Sequence, residues 1–105
     1  MNIRMEYLYR DAGNYKNWGD VVFSNPNGVP IQHAEKMVNE ALIDHQYFLA
    51  KSVGVPDLHF PEFNTDLDHH FHEFYALVQT EDTPDDLQKR SIEQLADSLR
   101  GQKIS

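Results

Sequence analysis

The chain contains no cysteine among its 105 residues. Disulfide bonds, thiol nucleophiles and thiolate metal ligands are therefore excluded, and a bound metal would have to be held by imidazole or carboxylate groups. The sequence also lacks an apolar run that approaches the ~20 residues needed to span a bilayer, and no basic segment precedes an apolar run near residue 1. We therefore expect a cytoplasmic protein that is stabilised by side-chain packing.

Basic side chains are scarce and unevenly distributed. The chain has 9 Lys and Arg against 17 Asp and Glu, for a formal net charge of −8. No Lys or Arg lies between Lys51 and Lys89. The carboxylates in that interval are Asp57, Glu62, Asp66, Asp68, Glu73, Glu81, Asp82, Asp85 and Asp86. Such a surface repels phosphate backbones, so direct nucleic-acid binding is disfavoured and cations or basic protein surfaces are the expected partners.

The composition is that of a folded chain. Apolar residues make up 40% and charged residues 25% of the sequence, which is too apolar for intrinsic disorder. A chain of this length forms one modest core. We therefore expect a single domain over residues 1–105.

The N-terminal segment alternates between apolar and polar residues. Its apolar positions of one parity are Ile3, Met5, Tyr7 and Tyr9. A period of two is typical of a half-buried strand, and the stretch DAGNYKN that follows is rich in turn formers. The next apolar run is WGDVVFS. These features predict an antiparallel hairpin that pairs residues 2–10 with residues 18–24.

Helical periodicity appears after the turn NPNGVP. Apolar residues recur every three or four positions from Ile31 to Leu42, which predicts an amphipathic helix over 31–44. The helix either continues through Val53 or ends near Asp44 and leaves QYFLA as a short strand, and the sequence slightly favours the strand.

A second helix is predicted near the C terminus. Thr83 as N-cap, Pro84 at the first helical position and Asp86 three residues after the cap form a start signal, and Gly101 marks the end. The apolar stripe of this helix is Leu87, Ile92, Leu95 and Leu99.

A third strand is predicted over residues 70–79, where HFHEFYALVQ alternates with Leu77 on the face of Tyr75. The preceding stretch VPDLHFPEF contains two prolines and predicts an extended segment at the sheet edge. The order β-β-α-(β)-β-α predicts an α+β fold, a small and largely antiparallel sheet with helices on one face.

The stretch DLDHHFHEF, residues 66–74, holds three of the six histidines. If it is extended, Asp68, His70 and His72 project from one face, roughly 7 Å apart. With His59 nearby, they could hold Zn²⁺ or another divalent ion and leave a position for a hydrolytic water. The simpler interpretation is a solvated strand start without a cofactor, since HxH often occurs by chance. The surrounding carboxylates predict that some of these histidines have a pKa above about 6.5.

The hairpin connection YRDAGNYKNWG places aromatic and basic residues together. Tyr, Trp and Arg dominate binding hot spots, so the predicted partner-binding residues are Arg10, Tyr15, Lys16 and Trp18. The alternative for Trp18 is packing in the core or at the rim of the sheet, and the sequence favours that packing.

The segment YLYRDAGNYKNWGDVVFSN, residues 7–25, together with VPDLHF at 55–60 and HEF at 72–74, resembles a group of small bacterial proteins of unknown function. The resemblance covers about residues 1–78. It implies a bacterial cytoplasmic protein of the kind carried on mobile elements, and it implies no activity, ligand or catalytic residue.

Three functional hypotheses follow from the sequence. The leading one is a small acidic interaction module without catalytic activity that binds another protein or itself, since sheet edges must be covered or paired and this favours a homodimer. The second is a divalent-metal protein with hydrolytic potential that uses the His and Asp cluster. The third is an acidic inhibitor that imitates a nucleic-acid backbone.

Overall fold

The computed structural model describes residues 1–102 and contains a four-stranded antiparallel sheet with three helices. The α+β class predicted from the sequence is therefore confirmed. In chain order the elements are β1 (Asn2–Arg10), β2 (Lys16–Phe23), α1 (Ile31–Ala41), β3 (Tyr47–Phe48), α2 (Ala50–Val53), β4 (His72–Thr80) and α3 (Ile92–Arg100).

The strand order is β2-β1-β4-β3, so β1 lies inside the sheet. Its antiparallel pairing with β2 runs from Ile3 opposite Phe23 to Arg10 opposite Lys16. The predicted hairpin is confirmed, although β2 begins two residues before the predicted position 18 and ends one residue before position 24.

The helices cover one face of the sheet, as the alternation in β1 predicts. The β1 side chains fully buried on that face are Ile3, Met5, Tyr7 and Tyr9. From the helices, the core receives Ala34, Val38, Ala50, Val53, Ile92, Leu95 and Leu99. Complete burial of a large apolar side chain contributes about 1.5–3 kcal/mol. In a chain without disulfides, this packed layer is the main source of stability.

β4 begins two residues later than predicted and contains a β-bulge. Ala76 pairs with Glu6, and Phe74 pairs with Tyr7. Tyr75 is therefore the extra residue, and it shifts the side-chain alternation by one position. Leu77 consequently joins the core face. The uninterrupted alternation predicted for this strand, with Leu77 on the face of Tyr75, is wrong for this reason.

The helix α1 is shorter than predicted. It ends at Ala41 rather than at position 44, because the backbone of Leu42 is already extended, with a ψ of 154°. Asp44 and His45 follow with φ values of 52° and 57°. These left-handed conformations cannot continue a right-handed helix. The strand alternative for QYFLA is confirmed for the two residues of β3, which pair with the start of β4. Ala50, the last residue of that stretch, already belongs to α2.

The last helix does not begin at Thr83, and this prediction is wrong. The residues that follow Thr83 run beside the edge strand β2, where the Asp85 carboxylate accepts a hydrogen bond from the Val22 backbone N–H at 2.7 Å. The Asp85 backbone N–H donates to the Val22 carbonyl at 3.1 Å. Lys89 has a φ of 54°, which interrupts any helix in this segment.

Ser91 caps α3 instead. Its hydroxyl accepts a hydrogen bond from the Gln94 backbone N–H at 3.2 Å, and the Gln94 side chain accepts one from the Ser91 N–H at 2.9 Å. This reciprocal pair satisfies two donors at the helix start. The predicted end at Gly101 is confirmed. Leu87 lies outside the helix and is 87% exposed, so it does not belong to the apolar stripe.

Candidate metal centre

The segment VPDLHFPEF, residues 55–63, is predicted to lie at the sheet edge. This prediction is wrong for the first residues of the segment, which cross the helix-covered face of the sheet. The Tyr7 hydroxyl donates to the Pro56 carbonyl at 2.7 Å, and the Asn17 side-chain amide donates to the Leu58 carbonyl at 3.0 Å. The Leu58 side chain lies over Gly19, where an added Cβ would be 3.0 Å from its methyl carbons. The glycine thus permits a close approach of this segment to the sheet.

Asp57 and His59 are two residues apart in this segment, and their side chains meet. Asp57 Oδ1 accepts a hydrogen bond from the His59 backbone N–H at 2.8 Å and lies 2.9 Å from His59 Nδ1. The second ring nitrogen, Nε2, lies 3.2 Å from the His70 carbonyl oxygen. Both ring nitrogens of His59 therefore face oxygen acceptors, which orients the ring.

His72 is the first residue of β4, and its side chain is 1% exposed. The rings of Tyr7, Tyr9 and Phe48 surround it at centroid distances of 6.0, 5.2 and 5.9 Å. Nε2 accepts a hydrogen bond from the Leu58 backbone N–H at 2.9 Å. Nδ1 is buried and has no hydrogen-bond partner among the described residues.

Burial lowers the pKa of His72 to about 4, and the nearby His59 acts in the same direction, whereas Asp57 opposes the decrease. The prediction that carboxylates raise histidine pKa values is wrong for His72. Removal from water disfavours the charged ring more than one exposed carboxylate favours it. The imidazole is therefore neutral at pH 7, which is the form that binds metal ions.

Three donor atoms converge at this point. One oxygen of Asp57 and one ring nitrogen each of His59 and His72 all lie within 4.8 Å of one another. His72 Nε2 is 3.5 Å from Asp57 Oδ1. The side chains range from exposed Asp57 through half-buried His59 to buried His72. They line an open cleft of about 640 Å³, to which residues 49–52 and 69–71 also contribute.

Of the four predicted metal ligands, the structure brings together His59 and His72. His70 and Asp68 precede β4 and are not in a strand, so the predicted common face of Asp68, His70 and His72 is not formed. The His70 ring lies beside Phe63, with 5.0 Å between the ring centroids. The backbone carbonyl oxygen of His70 faces His59 Nε2, and the His70 ring lies 6.0 Å from the His59 ring between centroids, but His70 is not one of the three residues whose donor atoms converge.

Asp68 connects two loops. Its Oδ2 accepts a hydrogen bond from the Asn64 backbone N–H at 2.9 Å, and its Oδ1 accepts one from the Ala12 N–H at 2.8 Å. These hydrogen bonds lower the pKa of the carboxyl group. Because both oxygens are engaged, Asp68 holds the loop after β1 against the loop before β4 and does not belong to the candidate centre.

Asp57 is the site residue that sequence analysis missed. The signal was the spacing of Asp57 and His59 between Pro56 and Pro61. Residues two apart in an extended segment point to the same side, and proline favours extended backbone before it. That local signal does not reveal which distant residue completes the cluster.

The predicted partner-binding residues are distributed over two surfaces. Arg10 Nε lies 2.8 Å from Glu73 Oε2, so its charge is engaged within the sheet. Tyr15, 72% exposed, and Lys16 line a groove near the hairpin connection. Trp18 is half exposed on the face opposite the helices rather than in the core.

No protein-family model, curated protein or solved structure matches this chain. The resemblance to small bacterial proteins therefore stays a prediction. None of the helices within residues 1–102 combines the length and the apolar composition that crossing a membrane requires.

Proposed function

We propose that the protein binds a divalent metal ion through Asp57, His59 and His72. The observation that carries this proposal is the convergence of three donor atoms within 4.8 Å on the wall of a cleft. Two imidazoles and one carboxylate form a donor set that suits Zn²⁺ and Fe²⁺. Three protein ligands also leave a coordination position for water.

The surroundings of His59 support this proposal. A metal-binding histidine usually donates its second ring N–H to a backbone carbonyl or a carboxylate, which fixes the ring orientation. His59 directs Nδ1 towards Asp57, while Nε2 lies 3.2 Å from the carbonyl oxygen of His70. His70 thus contributes its backbone, and its ring is not required.

His72 contributes one favourable and one unfavourable feature. Its pKa of about 4 means that no proton has to leave the ring at pH 7 before a metal binds. However, Nε2 already accepts the Leu58 N–H, and coordination through this atom would replace that hydrogen bond. We therefore expect a dissociation constant on the order of micromolar rather than nanomolar.

The chemistry that such a centre could support is hydrolysis. Zn²⁺ held by three protein ligands can lower the pKa of its bound water to about 7, and would then supply hydroxide near neutral pH. The three ligands line the cleft, so that this water would be accessible to a substrate. Hydrolysis of a p-nitrophenyl ester by the zinc-loaded protein, lost in His59→Ala, is the expected readout.

Calorimetric titration with Zn²⁺ tests the binding itself. We expect one ion per wild-type chain and binding that is at least about tenfold weaker in Asp57→Asn and His59→Ala. His70→Ala is the matched control, because it removes the ring but keeps the carbonyl that orients His59. It should bind as the wild type does.

Two results would contradict the proposal. One is the absence of binding tighter than about 50 μM in the wild type. The other is an equal loss of affinity in His70→Ala and His59→Ala. Asp57 and His59 are the preferred positions for substitution because both are at least partly exposed, whereas His72 is part of the packed interior.

The interaction module predicted from the sequence is a second candidate, and the half-exposed Trp18 favours it. The cytoplasmic location, the homodimer and the imitation of a nucleic acid stay predictions.

A further inference from the structure

The sheet face opposite the helices carries a pocket between Trp18 and Tyr75. These side chains are 51% and 61% exposed, and their rings meet edge to face at a centroid distance of 5.0 Å. Trp18 belongs to β2 and Tyr75 to β4, so the pair spans the intervening strand β1. Glu6, Gly19 and Asp20 complete the lining of this pocket, whose volume is about 260 Å³.

The β-bulge in β4 shapes this pocket. Because Tyr75 is the extra residue, Ala76 pairs with Glu6 across the strand boundary. Bulges commonly redirect a side chain, and here the small Ala76 lies next to Glu6 while the large Tyr75 reaches Trp18. The β-bulge, which breaks the alternation predicted for β4, thus places Tyr75 in one wall of the pocket.

The floor of the pocket is negatively charged. Glu6 and Asp20 are direct cross-strand neighbours in β1 and β2. Like charges in this position repel each other and destabilise a sheet. Arg4 Nε lies 3.4 Å from Glu6 Oε2, whereas within residues 1–102 no Lys or Arg forms an ion pair with Asp20. Negative charge without full compensation therefore lies beside two exposed aromatic rings.

We propose that this pocket binds an arginine or lysine side chain of a partner protein. A cation is attracted both to the faces of Trp and Tyr rings and to carboxylates, and this pocket offers the two together. Trp and Tyr are also enriched among the residues that dominate protein interfaces. The net charge of −8 further attracts basic proteins over a longer range.

A second copy of this chain is a poorer occupant. Two copies that met through this face would bring their Glu6 and Asp20 carboxylates together, and like charges at an interface disfavour association. The inferred partner is therefore a basic protein rather than another copy. The proposed binding pocket contains one of the predicted partner-binding residues, Trp18. It also contains Tyr75, which was not predicted from the sequence.

Fluorescence provides a direct measurement, because Trp18 is the single tryptophan of the chain. The probe is a short arginine-rich peptide, and its matched control carries citrulline, a neutral analogue of arginine, at the same positions. We expect saturable changes in Trp18 emission with the arginine peptide, weakening with added salt, and none with the citrulline peptide. EDTA is present throughout, so the result is independent of metal binding.

Substitutions locate the effect. Tyr75→Ala and the double variant Glu6→Gln/Asp20→Asn should each bind the arginine peptide at least about tenfold more weakly. Glu35→Gln/Glu40→Gln removes the same charge from exposed positions of α1 and should bind within about twofold of the wild type. All substituted side chains except Glu6 are exposed, so folding is not at risk there.

Three outcomes would overturn the inference. Equal binding of the citrulline peptide would show that charge is not recognised. An equal loss in the two double variants would show a general charge effect rather than a pocket. A response to tetramethylammonium as strong as the response to the peptide would assign the pocket to a small cation rather than to a protein.

Discussion

The backbone N–H of Leu58 donates to His72 Nε2 at 2.9 Å, and this hydrogen bond determines which ring nitrogen of His72 carries the proton. Because Nε2 accepts, the neutral ring carries its proton on Nδ1. The same hydrogen bond holds the segment that bears Asp57 and His59 against the start of β4. The fold itself therefore brings the three donor groups together.

Zinc is expected to release the Leu58 hydrogen bond. Coordination through His72 Nε2 removes the acceptor, so the Leu58 amide proton should shift upfield and exchange faster with solvent. An NMR titration of the amide signals measures both effects. The Ala12 amide, which donates to Asp68, is the control and should keep its position. An unchanged Leu58 signal at saturating zinc would exclude coordination through Nε2.

Stability should fall on acidification because of His72. Burial lowers its pKa to about 4, with His59 and His69 adding to the decrease, so the unfolded chain takes up a proton first. Above the unfolded value of about 6.5 the ring is neutral in both states and full stability is retained. Between about pH 6.5 and about pH 4 the free energy of unfolding should decrease by roughly 3 kcal/mol.

Urea unfolding at a series of pH values, with EDTA present, measures this decrease. His72→Gln removes the titrating ring but keeps an acceptor for the Leu58 N–H, and it should flatten the pH dependence in this window. The same slope in His72→Gln and in the wild type would assign the decrease to other groups.

Arg90 is expected to be the basic side chain on which stability depends most. It forms a buried ion pair with Asp86, with 2.9 Å between Nε and Oδ2, and it also donates to the carbonyls of Val53 and Gly54. Burial alone would raise the pKa of Asp86, but the hydrogen bonds from Arg90 lower it overall. Arg90→Met leaves these acceptors unpaired and should reduce the free energy of unfolding by about 3–5 kcal/mol.

Arg100→Met is the matched control for that substitution. It removes the exposed partner of Asp97 at the end of α3, and exposed pairs contribute about 1 kcal/mol or less. Chemical unfolding at neutral pH compares the two variants. Similar losses in both would contradict a special role for Arg90.

The start of α3 can be tested with two alanine substitutions. Ser91→Ala removes the side-chain cap and should lower the free energy of unfolding by about 1 kcal/mol. Thr83→Ala alters the cap predicted from the sequence and should change it by less than about 0.5 kcal/mol. A larger loss in Thr83→Ala would contradict the helix boundary seen in the structure.

The success of the sequence-based predictions depended on the range of the interactions involved. The sequence predicts both the strand β1 and the face that it buries, because the alternation of apolar and polar side chains depends only on neighbouring residues. The cap of α3 was misplaced because Thr83 and Ser91 both satisfy the local rules for a helix start. The pairing of Asp85 with Val22 and of Asp86 with Arg90 decides between them, and both require the folded chain.

The candidate centre shows the same division. The absence of cysteine limited the metal ligands to imidazole and carboxylate, and His59 and His72 were named from the sequence. The sequence does not predict that Asp57, rather than Asp68 and His70, completes the set of donor groups. This arrangement results from the irregular path of the segment before β4.

By itself, the sequence determined the α+β class, which side chains of β1 face the core, the acidic surface and the chemical type of any metal ligand. Each of these follows from composition or from residues a few positions apart. The tertiary structure decided that His72 is buried and neutral, that Asp57 joins it, and that Tyr75 meets Trp18. Those contacts join residues far apart in the chain, and the packing of the whole sheet and its helices determines which of them form.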